Sequence, residues 1–451
     1  MAVETFSTEA AGRIAGPEWL RSRRLSSATA ALEAPLPTPE AEEWRYSRIA
    51  ELDLSQYHLL DPGDEAPGVP PIVESLVSAL GELSGLVVLR NGRSAGIDVL
   101  GAAAEAGVTV GSPDAADLLG LTDEPVDLFA AYNDAFAADP IVIDIPRNTD
   151  LDLPLAVVSF IDEEGAAVFP RVVVRAGENS SVQVIEVSFS TDVPAFVAPV
   201  TEIAVGPAAR VRYAAMQDLG PRVWQLGSFS AEVGQDATLD AAVAALGGDY
   251  GRLRLDCRLV GRGATGNLSS VYFGDGRQML DLRTFQEHRA PDTTSNLLFK
   301  GAVADDSHAV YTGLIRIKPE ARGTNAFQTN RNLKLSPGAW AESVPNLEIE
   351  NNDVRCSHAS TVGPVDEDQR FYLESRGVPT KAAERLIVGG FFDEVVDDFA
   401  VPALAPLVRG RIDELLERKV GSRLAVDSDA AHRRSTIVAS DGVDAAHGAG
   451  S

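Results

Sequence analysis

One turn pattern recurs along the middle of the chain, in the stretches Val174-Arg-Ala-Gly-Glu-Asn-Ser-Ser181, Val205-Gly-Pro-Ala-Ala209, Val233-Gly-Gln-Asp-Ala237 and Val260-Gly-Arg-Gly-Ala264. Each stretch begins with a β-branched residue, turns through glycine and polar residues, and ends on a small residue. Short β-type runs such as Val182–Val187 connect the turns. The repeat therefore describes a unit of strand and turn that occurs several times.

The spacing of the turns predicts the architecture. The last residues of the four stretches are 28, 28 and 27 positions apart, and Ile317-Lys-Pro-Glu-Ala321 ends 57 positions later, about two periods further on. A fixed period of roughly 20 to 50 residues indicates a solenoid. Because the repeated runs are strands rather than helices, the predicted solenoid is a β-helix. A β-sandwich with evenly spaced turns is the alternative.

The region before the repeat has a different texture. Residues 1–137 are rich in alanine and place apolar residues three and four apart in Glu74–Leu83 and Ala115–Leu119, which predicts helices. One strand-like run, Leu86–Leu89, precedes the turn signal Asn91-Gly92. We therefore expect an N-terminal helical region over 1–137 and a β-helix core over 138–362.

Helical spacing returns after the core. It occurs in Asp366–Ser375, Thr380–Phe399 and Leu404–Val420, which together predict a C-terminal helical domain over 363–425. Residues 426–451 are small and polar, which predicts a disordered tail.

Composition restricts the classes of partner. The net charge is −27, so we do not expect the chain to bind nucleic acid or an anionic membrane surface. Two cysteines in 451 residues cannot form a disulfide framework, and no apolar run approaches the length of a membrane-spanning helix. The first residues lack a secretory signal pattern. These features predict a cytoplasmic protein.

Several motifs, in order and spacing, resemble the SufB/SufD family of iron–sulfur cluster assembly proteins. The resemblance covers most of the chain except for about 54–165. Its motifs are Glu43-Trp-Arg-Tyr46 after Pro39, Asp281, His288-Arg-Ala-Pro291, Ser295, Lys300-Gly301, Gln328-Thr-Asn-Arg-Asn-Leu-Lys-Leu-Ser336, Pro345-Asn-Leu-Glu-Ile349, Asn352-Asp-Val-Arg-Cys-Ser-His358, Val362-Gly363, Phe371-Tyr-Leu373, Ser375-Arg-Gly377 and Gly390-Phe391.

Within this family, the run through Cys356 and His358 resembles the SufD members. The SufB members carry a cysteine just upstream of the segment that aligns with Leu333–Ser336. This chain has no cysteine between Cys257 and Cys356. A SufB-like scaffold or homodimer is therefore the less favoured reading within the family.

The resemblance implies a mainly β protein with a right-handed parallel β-helix core flanked by N-terminal and C-terminal α-helical regions. It also implies a complex with SufB, joined through the end of the β-helix, and with the ATPase SufC, docked on the C-terminal helices. For an isolated chain, the sequence leaves open whether a homodimer forms through the same end. The apolar residues that we expect to contact SufC are Phe391, Val395, Leu404, Leu407, Val408, Ile412 and Leu415.

Cys356 and His358 are the candidate iron ligands. They are two residues apart on a predicted strand, so their side chains leave the same face, and thiolate and imidazole both bind iron. Two ligands cannot complete a cluster site, so SufB would have to supply the others. We expect no stably bound cofactor and only transient iron or an iron–sulfur cluster at that interface. The alternative is that both residues are structural.

The remaining histidines and cysteine lack a partner pattern. We expect structural roles for His288, His308 and Cys257, and no site at His58, His432 or His447. The sequence has no phosphate-binding loop of the Gly-x-x-x-x-Gly-Lys type, so ATP hydrolysis would come from SufC and the chain itself would not be an enzyme. A secreted carbohydrate-active β-helix enzyme is the alternative from another class.

Overall fold

The structure is a computed structural model that describes residues 5–60, 68–112 and 125–419. Its core is a parallel β-helix of two sheets that face each other. Sheet A consists, in spatial order, of β20 (Trp340–Ile349), β18 (His308–Ile317), β16 (Met279–His288), β14 (Tyr250–Leu259), β12 (Val223–Val233), β10 (Val200–Val205), β7 (Arg171–Ala176), β4 (Ile141–Ile145) and β3 (Thr109–Gly111). Two further short strands belong to it: β9 (Ala195–Val197) pairs with β12, and β6 (Ala166–Val168) pairs with β9. Sheet B consists of β2 (Arg93–Val99), β1 (Gly85–Arg90), β5 (Leu155–Ile161), β8 (Ser181–Ser190), β11 (Arg210–Asp218), β13 (Thr238–Ala245), β15 (Thr265–Gly274), β17 (Thr294–Val303), β19 (Thr324–Lys334) and β21 (Val354–Pro364).

The repeated apolar positions stack on one another inside the β-helix. Val205 pairs with Ala176 on one side and Val233 on the other, and Val233 pairs with Leu259. All four side chains belong to the same buried cluster. The stacking confirms the solenoid and excludes the β-sandwich. The register also corrects three repeat positions. Because Ser181 pairs with Arg210, Ser180 is the residue equivalent to Ala209. The residues equivalent to Val205 and Val233 are Ala176 rather than Val174, and Leu259 rather than the exposed Val260.

The glycines of the turns allow each coil to lie directly on the previous one. A Cβ atom at Gly206 would lie 2.7 Å from the carbonyl oxygen of Ala176, and at Gly261 it would lie 2.0 Å from the backbone nitrogen of Gln235. Side-chain carbon never approaches backbone that closely. The Val-Gly pairs of the sequence therefore mark points of close contact between coils.

The N-terminal region packs on both sheets and also extends the β-helix. Its helices are α1 (Thr8–Arg13), α2 (Glu18–Glu33), α3 (Pro71–Leu80), α4 (Gly101–Glu105) and α5 (Leu128–Phe136), with 3₁₀ turns at Glu42–Trp44, Ile49–Glu51 and Leu54–Gln56. The helices α1, α2 and α5 cover the outer face of sheet A, and α3 packs on sheet B. The helix predicted in Glu74–Leu83 and the strand predicted at Leu86–Leu89 are present. Ala115–Leu119 lies outside the described residues. Since β1 pairs with β5, the β-helix begins within the region predicted as helical.

The C-terminal helices pack on the outer face of sheet B. They are α6 (Glu367–Ser375), α7 (Thr380–Val396) and α8 (residues 405–419), with a 3₁₀ turn at Pro402–Leu404. Asp366 caps α6 by accepting the backbone N–H groups of Asp368 and Gln369. The three helical segments predicted after the core are therefore present, and residues 426–451 lie outside the described residues. In the described part of the chain, no helix is long and apolar enough to cross a membrane.

Candidate functional site at the open end of the β-helix

Within the described residues, the last coil of the β-helix has a neighbouring coil on one side only. Its strands β20 and β21 contain 10 and 11 residues, and among these described strands they pair with β18 and β19. Apolar side chains at this end are exposed, namely Phe327, Ile349 and Val362. Long unpaired strand edges invite pairing with another chain. This end of the molecule therefore combines free strand edges with exposed apolar side chains, which makes it the candidate site.

The structure places Cys356 and His358 together on β21, at this open end. Cys356 pairs in register with Ala326, and His358 pairs with Gln328. Cys356 is half-buried beside the small apolar cluster of Ile315 and Ile317, whereas His358 is exposed. Burial raises the pKa of the Cys356 thiol, so the free side chain is a neutral thiol at pH 7.

The two candidate ligands do not form a metal site by themselves. Among the described residues, no three His, Cys, Asp or Glu side chains are grouped as a metal site would require. Beneath His358, the Gln328 side chain is buried, and its Oε1 atom has no hydrogen-bond partner within the described chain. The arrangement offers one imidazole and one thiol on an exposed strand, and further ligands would have to come from another molecule.

Most of the apolar residues expected to contact a partner are buried instead. Val395, Leu404, Val408, Ile412 and Leu415 are each at most 3% exposed, and they pack among α7, α8 and sheet B. The same cluster holds the partly buried Phe391 and Leu407. Helical periodicity marks the face that is buried, which is here the face toward the domain's own core.

The exposed apolar residues of this domain lie elsewhere. Phe371 and Tyr372 of α6 are 70% and 59% exposed, and Leu386 of α7 is 59% exposed. The helix α6 begins at Glu367, directly after β21 ends at Pro364. The exposed patch is therefore joined by a very short connection to the strand that carries His358.

Comparisons with known proteins place the chain in a family. Residues 159–391 match the family model described as "SUF system FeS cluster assembly, SufBD core domain". The chain belongs to the SufBD family. It is 35% identical over 312 residues to an iron–sulfur cluster assembly SufBD family protein of Mycobacterium tuberculosis, covering 66% of this chain and 77% of that protein. It is also 27% identical over 429 residues to the iron–sulfur cluster assembly protein SufD of Bacillus subtilis, covering 90% and 94%.

His288 and Cys257 of this SufBD protein are buried within the β-helix. His288 is fully buried between the hydroxyl groups of Thr293 and Ser295, at 2.8 and 2.9 Å, and burial lowers its pKa to about 4. Burial raises the pKa of Cys257 to about 12. His308 stacks edge-on against the ring of Trp340, and His432 and His447 lie outside the described residues.

Sequence reasoning missed two long-range contacts in this chain, one made by Lys300 and one by the Trp44-Arg45-Tyr46 segment. Lys300 lies on β17 but is buried under α7, where it donates to the Phe391 carbonyl oxygen at 2.8 Å and pairs with Glu394. The Trp44-Arg45-Tyr46 segment crosses sheet A and reaches the last coil at Trp340. Both were visible only as motif residues, because their partners are remote in sequence.

Proposed function

We propose that this chain is the SufD-type, non-ATPase subunit of a SufB–SufC–SufD complex that assembles iron–sulfur clusters. The family match and the similarity to a SufD protein support a role in cluster assembly. The observation that carries the proposal is the open end of the β-helix, where β21 has a free edge among the described residues and holds Cys356 and His358. The partner at this end is SufB, and the complex works in the cytoplasm.

His358 is the residue that would reach the partner. Its imidazole is exposed on the terminal strand, so it can bind an iron ion that SufB holds with its own ligands. Cys356 is the weaker candidate, because its half-buried thiol would have to lose a proton in an apolar surrounding. Iron and the nascent cluster are the cargo of this interface and stay only during assembly.

SufC would dock on the exposed patch of Phe371, Tyr372 and Leu386 rather than on the buried face predicted from periodicity. Exposed aromatic side chains are typical of the centre of an interface. Since α6 follows β21 almost directly, a SufC-driven movement of α6 would pull on the strand that bears His358. Hydrolysis of ATP by SufC would in this way open or close the SufB contact, and this chain would need no catalytic residues of its own.

Reconstitution of the complex tests this function. The chain is co-expressed with SufB and SufC, purified through a tag on itself, and loaded with iron and sulfide without oxygen. We expect both partners to co-purify, and we expect His358→Ala to assemble several-fold less cluster in an intact complex. The matched control is Ser357→Ala, on the opposite face of the same strand, which should assemble as much as the wild type. If neither partner co-purifies, the proposed function is contradicted. If His358→Ala assembles as much cluster as the wild type, the assignment of His358 to the site is wrong.

A further inference from the structure

Residues 42–51, here called the strap, lie across the outer face of sheet A. The Arg252 guanidinium lies 3.8 Å from the centre of the Trp44 ring and donates to the Glu43 carbonyl oxygen at 3.0 Å. Arg283 donates to the Arg45 carbonyl oxygen at 3.2 Å. The strap is thus tied to β14 and β16 through buried arginines, and its backbone has a fixed path.

The tip of the strap is Tyr46, which has an unusual backbone conformation. Its φ angle is 66°, in the left-handed region that aromatic residues rarely adopt. The ring is 43% exposed, lies 5.8 Å from the Trp340 ring, and carries the Arg45 guanidinium 5.1 Å from its centre. Within the described part of the chain, the phenol oxygen has no hydrogen-bond partner. Such strain is kept only where surrounding contacts impose it, and it is often found at functional sites.

Trp340 begins β20, the strand whose free edge is interrupted by a proline. The N–H groups of Trp340 and Glu350 donate to Ser307 and Ile317 on the β18 side, at 3.0 and 2.9 Å. Alternation along the strand turns the peptide groups of the odd-numbered residues toward the free edge. Pro345 is one of these, so a strand added along β20 would miss a donor at its middle. Side chains must therefore carry much of the contact on this side.

We infer that Tyr46 and Trp340 form an aromatic anchor for the partner subunit at the open end of the β-helix. This inference rests on the proposed function and names the contact that holds SufB on the sheet A side. Aromatic residues with a neighbouring arginine dominate the binding energy of interfaces. A second copy of this chain is disfavoured as the occupant, because two subunits of net charge −27 repel each other.

Replacement of Tyr46 distinguishes an effect on partner binding from an effect on the stability of the fold. Tyr46→Gly removes the ring and suits the left-handed backbone, and Tyr46→Asn keeps a side chain that tolerates this conformation. Both variants should unfold at the same denaturant concentration as the wild type or at a higher one. Their dissociation constants for purified SufB, measured by titration calorimetry, should rise about tenfold or more. Leu36→Ala, which truncates an exposed apolar residue outside the strap, is the control and should bind like the wild type.

The outcomes separate this inference from the function on which it rests. If wild-type chain binds SufB and both Tyr46 variants bind equally well, the anchor is overturned and the proposed function stands. If wild-type chain does not bind SufB, the proposed function itself fails. If the wild type instead forms a homodimer that both variants disrupt, the occupant is a second copy and the inference about SufB is wrong.

Discussion

His288 shows how a single residue can link the stability of this fold to pH. Its imidazole lies in the interior column that is otherwise apolar, between Leu259 and Ile317 in register. Its ring nitrogens are satisfied by two hydroxyl groups, with no carboxylate in contact. Burial lowers the pKa to about 4, well below the usual value near 6.5. The neutral ring is therefore the form that the core accepts.

Acidification should weaken the fold through His288. As pH falls below about 6.5, the unfolded chain takes up a proton at this residue while the folded chain does not until about pH 4. The neutral ring therefore contributes its full stability above about pH 6.5. This contribution, up to about 3 kcal/mol, is lost as the pH falls from about 6.5 to about 4. We expect the stability advantage of wild type over His288→Gln to shrink by this amount between about pH 7 and pH 4. Urea titrations over this range measure the advantage, and a difference that does not vary with pH would contradict the assignment.

Turns are the elements that sequence reasoning predicted best, since their spacing follows from stacking of one coil on another. The residues on both sides of each turn fill the interior: Val205, Val233 and Leu259 before the turns, and Ala209, Ala237 and Ala264 after them, belong to one buried cluster. What the spacing could not show is why glycine follows valine. The reason is the close approach of backbone from the previous coil at Gly206, Gly234 and Gly261, a contact between residues about 28 positions apart.

Gly261→Ala should destabilise the β-helix, because the added methyl group would overlap the backbone at Gln235. The expected loss is about 2 kcal/mol or more, as for overpacking of a close-packed core. Gly410→Ala is the matched control: this glycine lies in α8 with nothing within 4 Å of the new Cβ atom. There the alanine should stabilise by about 0.5–1 kcal/mol through helix propensity. Thermal and urea unfolding report both changes, and similar effects at the two sites would refute the stacking argument.

At the scale of the whole molecule, the sequence indicated the β-helix and both helical flanks but not how they attach. Local periodicity predicts that Val395 and Ile412 face something apolar, and it cannot distinguish the domain's own sheet from a partner. Likewise β1 joins the solenoid through pairing with β5, about 70 residues further on. For the candidate site, the motif gave the positions of Cys356 and His358. Their location on the terminal strand, which pairs on one side with β19 and has its other edge free among the described residues, required the three-dimensional structure.

A buried charged residue, Lys300, lies between α7 and sheet B, where the C-terminal helices pack on the β-helix. Lys300 is 2% exposed, and its ammonium group is held by Glu394, by the Phe391 carbonyl oxygen and by the Phe391 ring at 4.5 Å. The nearby ammonium in turn lowers the pKa of Glu394. A buried cation without its partner is costly, whereas an apolar residue of similar length at the same place is tolerated. Lys300 therefore couples the position of α7 to the strand β17 beneath it.

A double-mutant cycle measures this coupling. Glu394→Gln alone should destabilise the fold, because Lys300 stays buried with weaker compensation. In a Lys300→Met background the same change should cost little, since no buried charge remains. We expect a coupling free energy of about 1 kcal/mol, modest because Glu394 is half exposed. Hydrogen exchange of the α7 amides gives a second measure, and it should increase in Glu394→Gln but not in the double variant. If the two substitutions instead change the free energy of unfolding additively, apolar packing alone holds the C-terminal helices on sheet B. A movement of α6 and α7 would then reach the open end only through the short connection between β21 and α6.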